Sequence, residues 1–184
     1  MIKNKAIAHY ISKITGKNPS VLRFQADDTT FIDVVSVTEH GDEDLSVHAT
    51  IGLSAVRTNE EGRDIELILV AEKKYDLAPN VLGTCALKAM LEGWQTTTGA
   101  IFAHVFSAYY PESPIHHGLL IPPYLWKENL KSLDLGDRLV EWKMVVPITD
   151  AEAQFLQTHP PGSLLPLFVE KNVNLFDLGR ESVV

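Results

Sequence analysis

The 184-residue chain has a single cysteine, Cys85. One cysteine closes no intrachain disulfide and cannot furnish a cysteine-rich zinc site. Its neighbours, VLGTCALKAML, make it a small apolar residue on a helix face rather than a nucleophile. No apolar run approaches the roughly 18 residues that a membrane-crossing helix requires. The opening stretch IKNKAIAHYISKITG is too polar for a secretory leader. A cytoplasmic protein beginning at Met1 is therefore expected. Clustered lysine and arginine are missing, which argues against direct binding of nucleic acid, whose phosphates demand them. Also absent are a P-loop, a glycine-rich dinucleotide fingerprint, a G-x-S-x-G elbow and an H-x-E with paired cysteines. No cofactor is implied, and no repeat period or low-complexity tract is visible.

What is present is acid, unevenly placed. The net charge is −8, yet between Asp27 and Glu66 eleven acidic residues stand against only Arg57 and Arg63, so this stretch carries the whole imbalance. Two readings are open. The charges decorate loops for solubility, or they form an acidic face that steers a basic partner into contact.

Hydrophobic spacing supplies the elements. Ala6, Ile7, Tyr10, Ile11 and Ile14 predict a helix over 3–15, with Gly16 at its end. VLRF, FIDVVSV, LSVHATIGL and DIELILVA read as four strands, the first three joined by turn-rich connections and therefore antiparallel neighbours. After Pro79 and Asn80, the apolar residues Leu82, Cys85, Ala86, Ala89, Met90 and Trp94 predict the strongest helix of the chain. AIFAHVF is expected to be extended, as are IHHGLLI and RLVEWKMVVP, while YLWKENLKSLDLGD reads as a short helix or turn. Thr149 and Glu152 form a capping box that starts a helix. A last helix runs from near Ser163 through Pro166, and the apolar tail VNLFDLGRESVV lies back on the body. The pattern gives an α+β protein, one domain over residues 1–184, with a mixed, largely antiparallel β-sheet flanked by α-helices. Trp94, Trp126 and Trp142 read as core anchors, because no basic stripe accompanies them.

The adjacent His116 and His117 invite a metal or catalytic reading. In a regular strand they face opposite sides of the sheet and cannot share an ion, so the spacing argues for a structural pair. His48 and His104 could join one of them only through tertiary folding, with Asp33 or Glu66 as the orienting carboxylate. On the residues alone, no catalytic, cofactor or metal site is assigned.

Three segments carry a resemblance: HHGLLIPPYLW, VEWKMVVPITDAEAQFLQTHPPGSLLPLF and NLFDLGRESVV. In order and character they are similar to the suppressor of fused family, as are IGLS at 51–54 and the long helix before AIFAHVF. The resemblance implies that family's fold and brings no catalytic residues with it. Large animal members carry a second domain and sequester transcription factors, a role for which this chain lacks the length. Small bacterial members resemble immunity proteins, or antitoxins, encoded beside secreted toxins that are often nucleases. The implied function is neutralisation of a cognate toxin by direct protein–protein contact, without enzymatic activity. A toxin with a basic surface would suit the acidic stretch, and Asp42, Glu43 and Asp44 on one loop, with Glu60, Glu61 and Asp64 on another, are the expected contact residues. A peptide-binding regulatory scaffold and a metal- or histidine-dependent hydrolase stand as alternatives, and the oligomeric state is left open.

Overall fold

The structure, a computed structural model, describes residues 2–15, 19–37, 44–56, 62–126 and 129–184, without the side chains of 2, 3 and 15. Its centre is an eight-stranded sheet. Strands β1 (Ser20–Gln25), β2 (Phe31–Val37), β3 (Leu45–Ile51) and β4 (Asp64–Glu72) form an antiparallel meander. Helix α1 (Ile2–Thr15) covers one face of this meander, and α2 (Ala78–Glu92) covers the other. β5 (Ile101–Phe102), β6 (Ile115–Ile121), β7 (Leu133–Asp134) and β8 (Leu139–Thr149) complete the sheet in the order β1-β2-β3-β4-β8-β6-β5, with β7 on β8. The β4–β8 pairing is parallel, which hairpin spacing could not have revealed. A parallel pair needs a long crossover, and here α2, β5, β6 and β7 all lie within it. Helices α3 (Asp150–Phe155) and α4 (Leu164–Glu170) and the C-terminal tail close the face that α1 begins to cover.

The apolar pattern follows from this layering. On β4, Leu67 and Leu69 pack against Val81, Leu82 and Cys85 of α2, while Ile68 and Val70 join Ile7 and Ile11 of α1 in the other core. A strand covered on both faces reads as a continuous hydrophobic run, as DIELILVA does. Gly83 lets α2 sit on the sheet: a Cβ there would come within 2.5 Å of the Phe24 ring. Cys85 is fully buried, and burial pushes its thiol up, which keeps it inert. The capping box is present as expected, with Glu152 N donating to Thr149 Oγ1 and Thr149 N to Glu152 Oε2.

Two local expectations change. AIFAHVF is extended only at Ile101–Phe102 and then turns, because Val105 and Phe106 both enter the α2-side core, which adjacent residues of a strand cannot do. α2 ends at Gly93 (φ 71°), so Trp94 lies beyond it and stacks on Phe102 with centroids 5.2 Å apart. Within YLWKENLKSLDLGD the turn is present, with the Asn129 and Leu130 amides donating to the Trp126 carbonyl at 2.7 Å each, and the two-residue β7 follows it; residues 127 and 128 lie outside the described set.

Candidate functional site

Of the six acidic residues expected at a contact surface, Asp42, Glu43, Glu60 and Glu61 lie outside the described residues. Asp44 precedes β3 with its side chain 84% exposed, and its carboxylate is 3.6 Å from Lys73 Nζ. Asp64 begins β4 and is half-buried. In an antiparallel meander successive connections fall at alternate ends; Asp44 stands opposite Lys73, nine residues along β4 from Asp64, so the two are separated by roughly 30 Å at about 3.4 Å per residue. Asp44 and Asp64 thus stand at opposite ends of the sheet. Exposed Asp27 and Asp28, on the β1–β2 turn, share the Asp64 end, which sequence order alone did not indicate. Asp27 accepts from the amides of Thr29 and Thr30, at 2.8 Å each, and these bonds hold its carboxyl down at about 2.

The histidines behave differently from the alternation rule. β6 pairs Ile115 with Thr149 and His117 with Ile148, so His116 is an extra residue on its strand. Such a bulge shifts the side-chain phase. Ile115 falls in the α2-side core, whereas Leu119 and Ile121 fall in the other. The two histidines consequently converge on one atom: His116 Nδ1 is 2.9 Å and His117 Nε2 2.6 Å from Asp150 Oδ1. The expectation that they point apart is thus overturned by one inserted residue.

His104 completes the cluster. The turn after β5 carries it at φ 56°, an uncommon conformation for a non-glycine residue, and the Phe106 amide ties that turn to the His116 carbonyl at 3.0 Å. The His104 amide donates to His117 Nδ1 at 3.1 Å. That bond fixes the neutral tautomer of His117, which must carry its proton on Nε2 and donate it to Asp150. The His116 hydrogen bond, foremost, holds the Asp150 carboxyl below its usual range. The ring centroids of His104 and His117 are 4.7 Å apart.

The carboxylate is therefore Asp150, the first residue of α3, and not Asp33 or Glu66. Asp33 is paired with Arg23 at 2.8 Å, and Glu66 is buried beneath the 53–55 turn. Sequence held one usable hint, since the capping box already put Asp150 in a first helical turn beside the end of β8.

His48 stands apart, enclosed in β3. Its Nε2 is 3.0 Å from Ser46 Oγ, whose own proton goes to the Ala71 carbonyl, so Nε2–H donates there and Nδ1 accepts from Ser36 Oγ at 2.8 Å. Burial pushes the imidazole down to about 4. The unfolded chain takes up this proton near pH 6.5 and the folded one does not until about pH 4, so stability falls as pH drops through that window. The expected loss is about 3 kcal/mol. Urea titrations from about pH 7 to pH 4 check it: His48→Gln should flatten the profile, and an unchanged slope would assign the effect elsewhere.

Comparison with known proteins places this architecture. The family model described as suppressor of fused protein matches residues 28–181. The chain belongs to the suppressor of fused family. A curated family relative, immunity protein YqcF of Bacillus subtilis (strain 168), is 33% identical over 187 residues, covering 99% of this chain and 97% of that one. The crystal structure of a suppressor of fused homolog from Neisseria gonorrhoeae FA 1090 superposes with a TM-score of 0.75 at 19% identity, over 100% of this chain and 98% of that one. Drosophila Suppressor of Fused gives 0.68 at 14% identity, over 98% of this chain but only 51% of its own. At those identities the two structures speak for the suppressor of fused fold. Membership of this family points to binding rather than catalysis. Among the described residues no helix is long and apolar enough to cross a membrane.

Proposed function

We propose that this protein is an immunity protein, an antitoxin that neutralises a co-encoded toxin by direct contact in the cytoplasm of the producing cell. The observation that carries the reading is the 33% identity to a protein named as an immunity protein, over nearly the full length of both chains. In this reading residues 1–184 act as one domain, with no enzymatic step. The acidic stretch adds the chemistry of the partner. A toxin that handles nucleic acid must present basic surface to phosphates, and an acidic inhibitor is steered onto that surface.

Asp42, Glu43, Asp44, Glu60, Glu61 and Asp64 are proposed contact residues. With Asp44 and Asp64 about 30 Å apart along the sheet, one partner must lie along the strands to reach both. An interface of standard size, about 800 Å² on each side, is large enough.

The test is a pull-down of the tagged protein with the product of its neighbouring reading frame, followed by association kinetics over a range of salt. Nanomolar binding whose on-rate drops steeply with salt is expected. Charge reversal in both loops should slow association by about tenfold or more at low salt. Tight binding that ignores salt and reversal would keep the immunity role and reject the acidic face. No binding would remove the proposal.

A second reading is favoured by one feature. β1 ends the sheet, its residues are almost all exposed, and Val21 and Leu22 are 55% and 43% accessible. An extended peptide could add there as a further strand, and its signature would be a partner reducible to a short segment.

A further inference from the structure

We propose that His104, His116 and Asp150 bind a divalent transition-metal ion of the zinc class, with His117 holding the carboxylate in place. This inference is independent of the immunity reading.

Each of the three imidazoles offers a nitrogen within 4.8 Å of those on the other two. His117 already uses both of its nitrogens, accepting from the His104 amide and donating to Asp150. It is therefore the group that orients a ligating carboxylate, the usual partner of metal sites. His116 Nδ1 and the Asp150 oxygen are 2.9 Å apart, and both sit at the surface with side chains 29% and 63% exposed. The His104 ring is exposed and makes no hydrogen bond among the described residues. A tetrahedral ion with ligands at about 2.0–2.1 Å sets neighbouring ligand atoms roughly 3.3 Å apart. Binding therefore requires the exposed His104 and Asp150 side chains to rotate toward one another. His116 would ligate as the other tautomer, its proton moving from Nδ1 to Nε2, so that a lone pair faces the ion.

Two departures from regular backbone converge on this point: the bulge that turns His116 toward Asp150, and the positive φ of His104. Bulges re-aim side chains, and uncommon backbone conformations gather where a site demands them. Two imidazoles and one carboxylate suit zinc, nickel, copper or cobalt better than the hard, oxygen-seeking magnesium and calcium. The remaining coordination positions are open to water or to a partner's side chain.

The experiment is calorimetric titration of untagged, chelator-treated full-length protein with Zn²⁺, paralleled by Co²⁺ absorption spectra. One ion per chain is expected, with the visible bands of low-symmetry Co²⁺ and a raised melting temperature. His104→Ala and His116→Ala should each weaken binding by at least about 100-fold, and His117→Gln by about 10- to 100-fold. His159→Ala is the control and should bind as the wild type does. If His117→Gln fails to fold, His104→Ala still decides the matter, because that side chain is exposed and its loss leaves the fold intact. Absence of binding, or wild-type affinity in His104→Ala, would overturn the proposal.

Discussion

Replacing Arg180 by alanine is expected to destabilise the protein by about 3–5 kcal/mol, because it strands a buried carboxylate. Arg180 lies in the tail segment GRESVV. Its Nη1 donates to Glu152 Oε1 and its Nη2 to Glu152 Oε2, both at 2.7 Å, and Nη2 also reaches the Pro147 carbonyl at 2.8 Å. The two side chains are 6% and 0% exposed. Glu152 further accepts the amides of Thr149 and Val183, so one carboxylate joins the end of β8, the start of α3 and the C-terminal tail. The exposed Arg63–Glu141 pair, at a similar 2.9 Å, is worth far less because water screens it. Urea unfolding of Arg180→Ala, Glu152→Ala and the double variant provides the check. The double should cost less than the sum of the singles, since removing both charges leaves neither one stranded. A loss below about 1 kcal/mol for Arg180→Ala would show that water replaces the guanidinium and that the tail is only loosely held.

Glu66→Ala is the second large effect, about 3 kcal/mol or more, from donors left without an acceptor. Glu66 is fully buried on β4, and burial pushes its carboxyl up against the pull of five hydrogen bonds. Thr50 Oγ1 and Ser54 Oγ donate at 2.6 and 2.7 Å, and the amides of Gly52, Leu53 and Ser54 at 2.8, 3.2 and 3.1 Å. Together they form the tight turn at 53–55 after β3, entered through Gly52 at φ 110°. Glu66→Gln should recover little, because its amide would aim donors at donors. Hydrogen exchange supplies the local readout: the Leu53 and Ser54 amides should exchange faster in the variant. Unchanged protection there, with stability within about 1 kcal/mol of wild type, would mean that the carboxylate does not hold the turn.

Both features were half-visible in the sequence. The capping box marked Glu152 as a residue reaching back to Thr149, and an apolar tail announced that it would pack. Neither indicated that Arg180 comes to Glu152. Glu66 read as one more acidic residue in an acidic stretch, although among the described residues of that stretch it is the carboxylate that serves the core. Charge counts treat every carboxylate alike, and burial separates them.

The residues alone determined which segments are strands and helices wherever an element is long and one-sided. The spacing of Ile7 and Ile11, the apolar run of β4, the helix around Cys85 and the double proline after β6 are local signals that folding preserves. The α+β class and the resemblance to the suppressor of fused family rest on those. Tertiary structure decided what depends on registers and crossings. The parallel β4–β8 pairing, the opposite ends taken by Asp44 and Asp64, the clustering of His104 with His116 and His117, and the meeting of the latter two at Asp150 are of that kind. One inserted residue in β6 reverses the face of its neighbours, and no local propensity encodes it, because a bulge is fixed by the strand across from it.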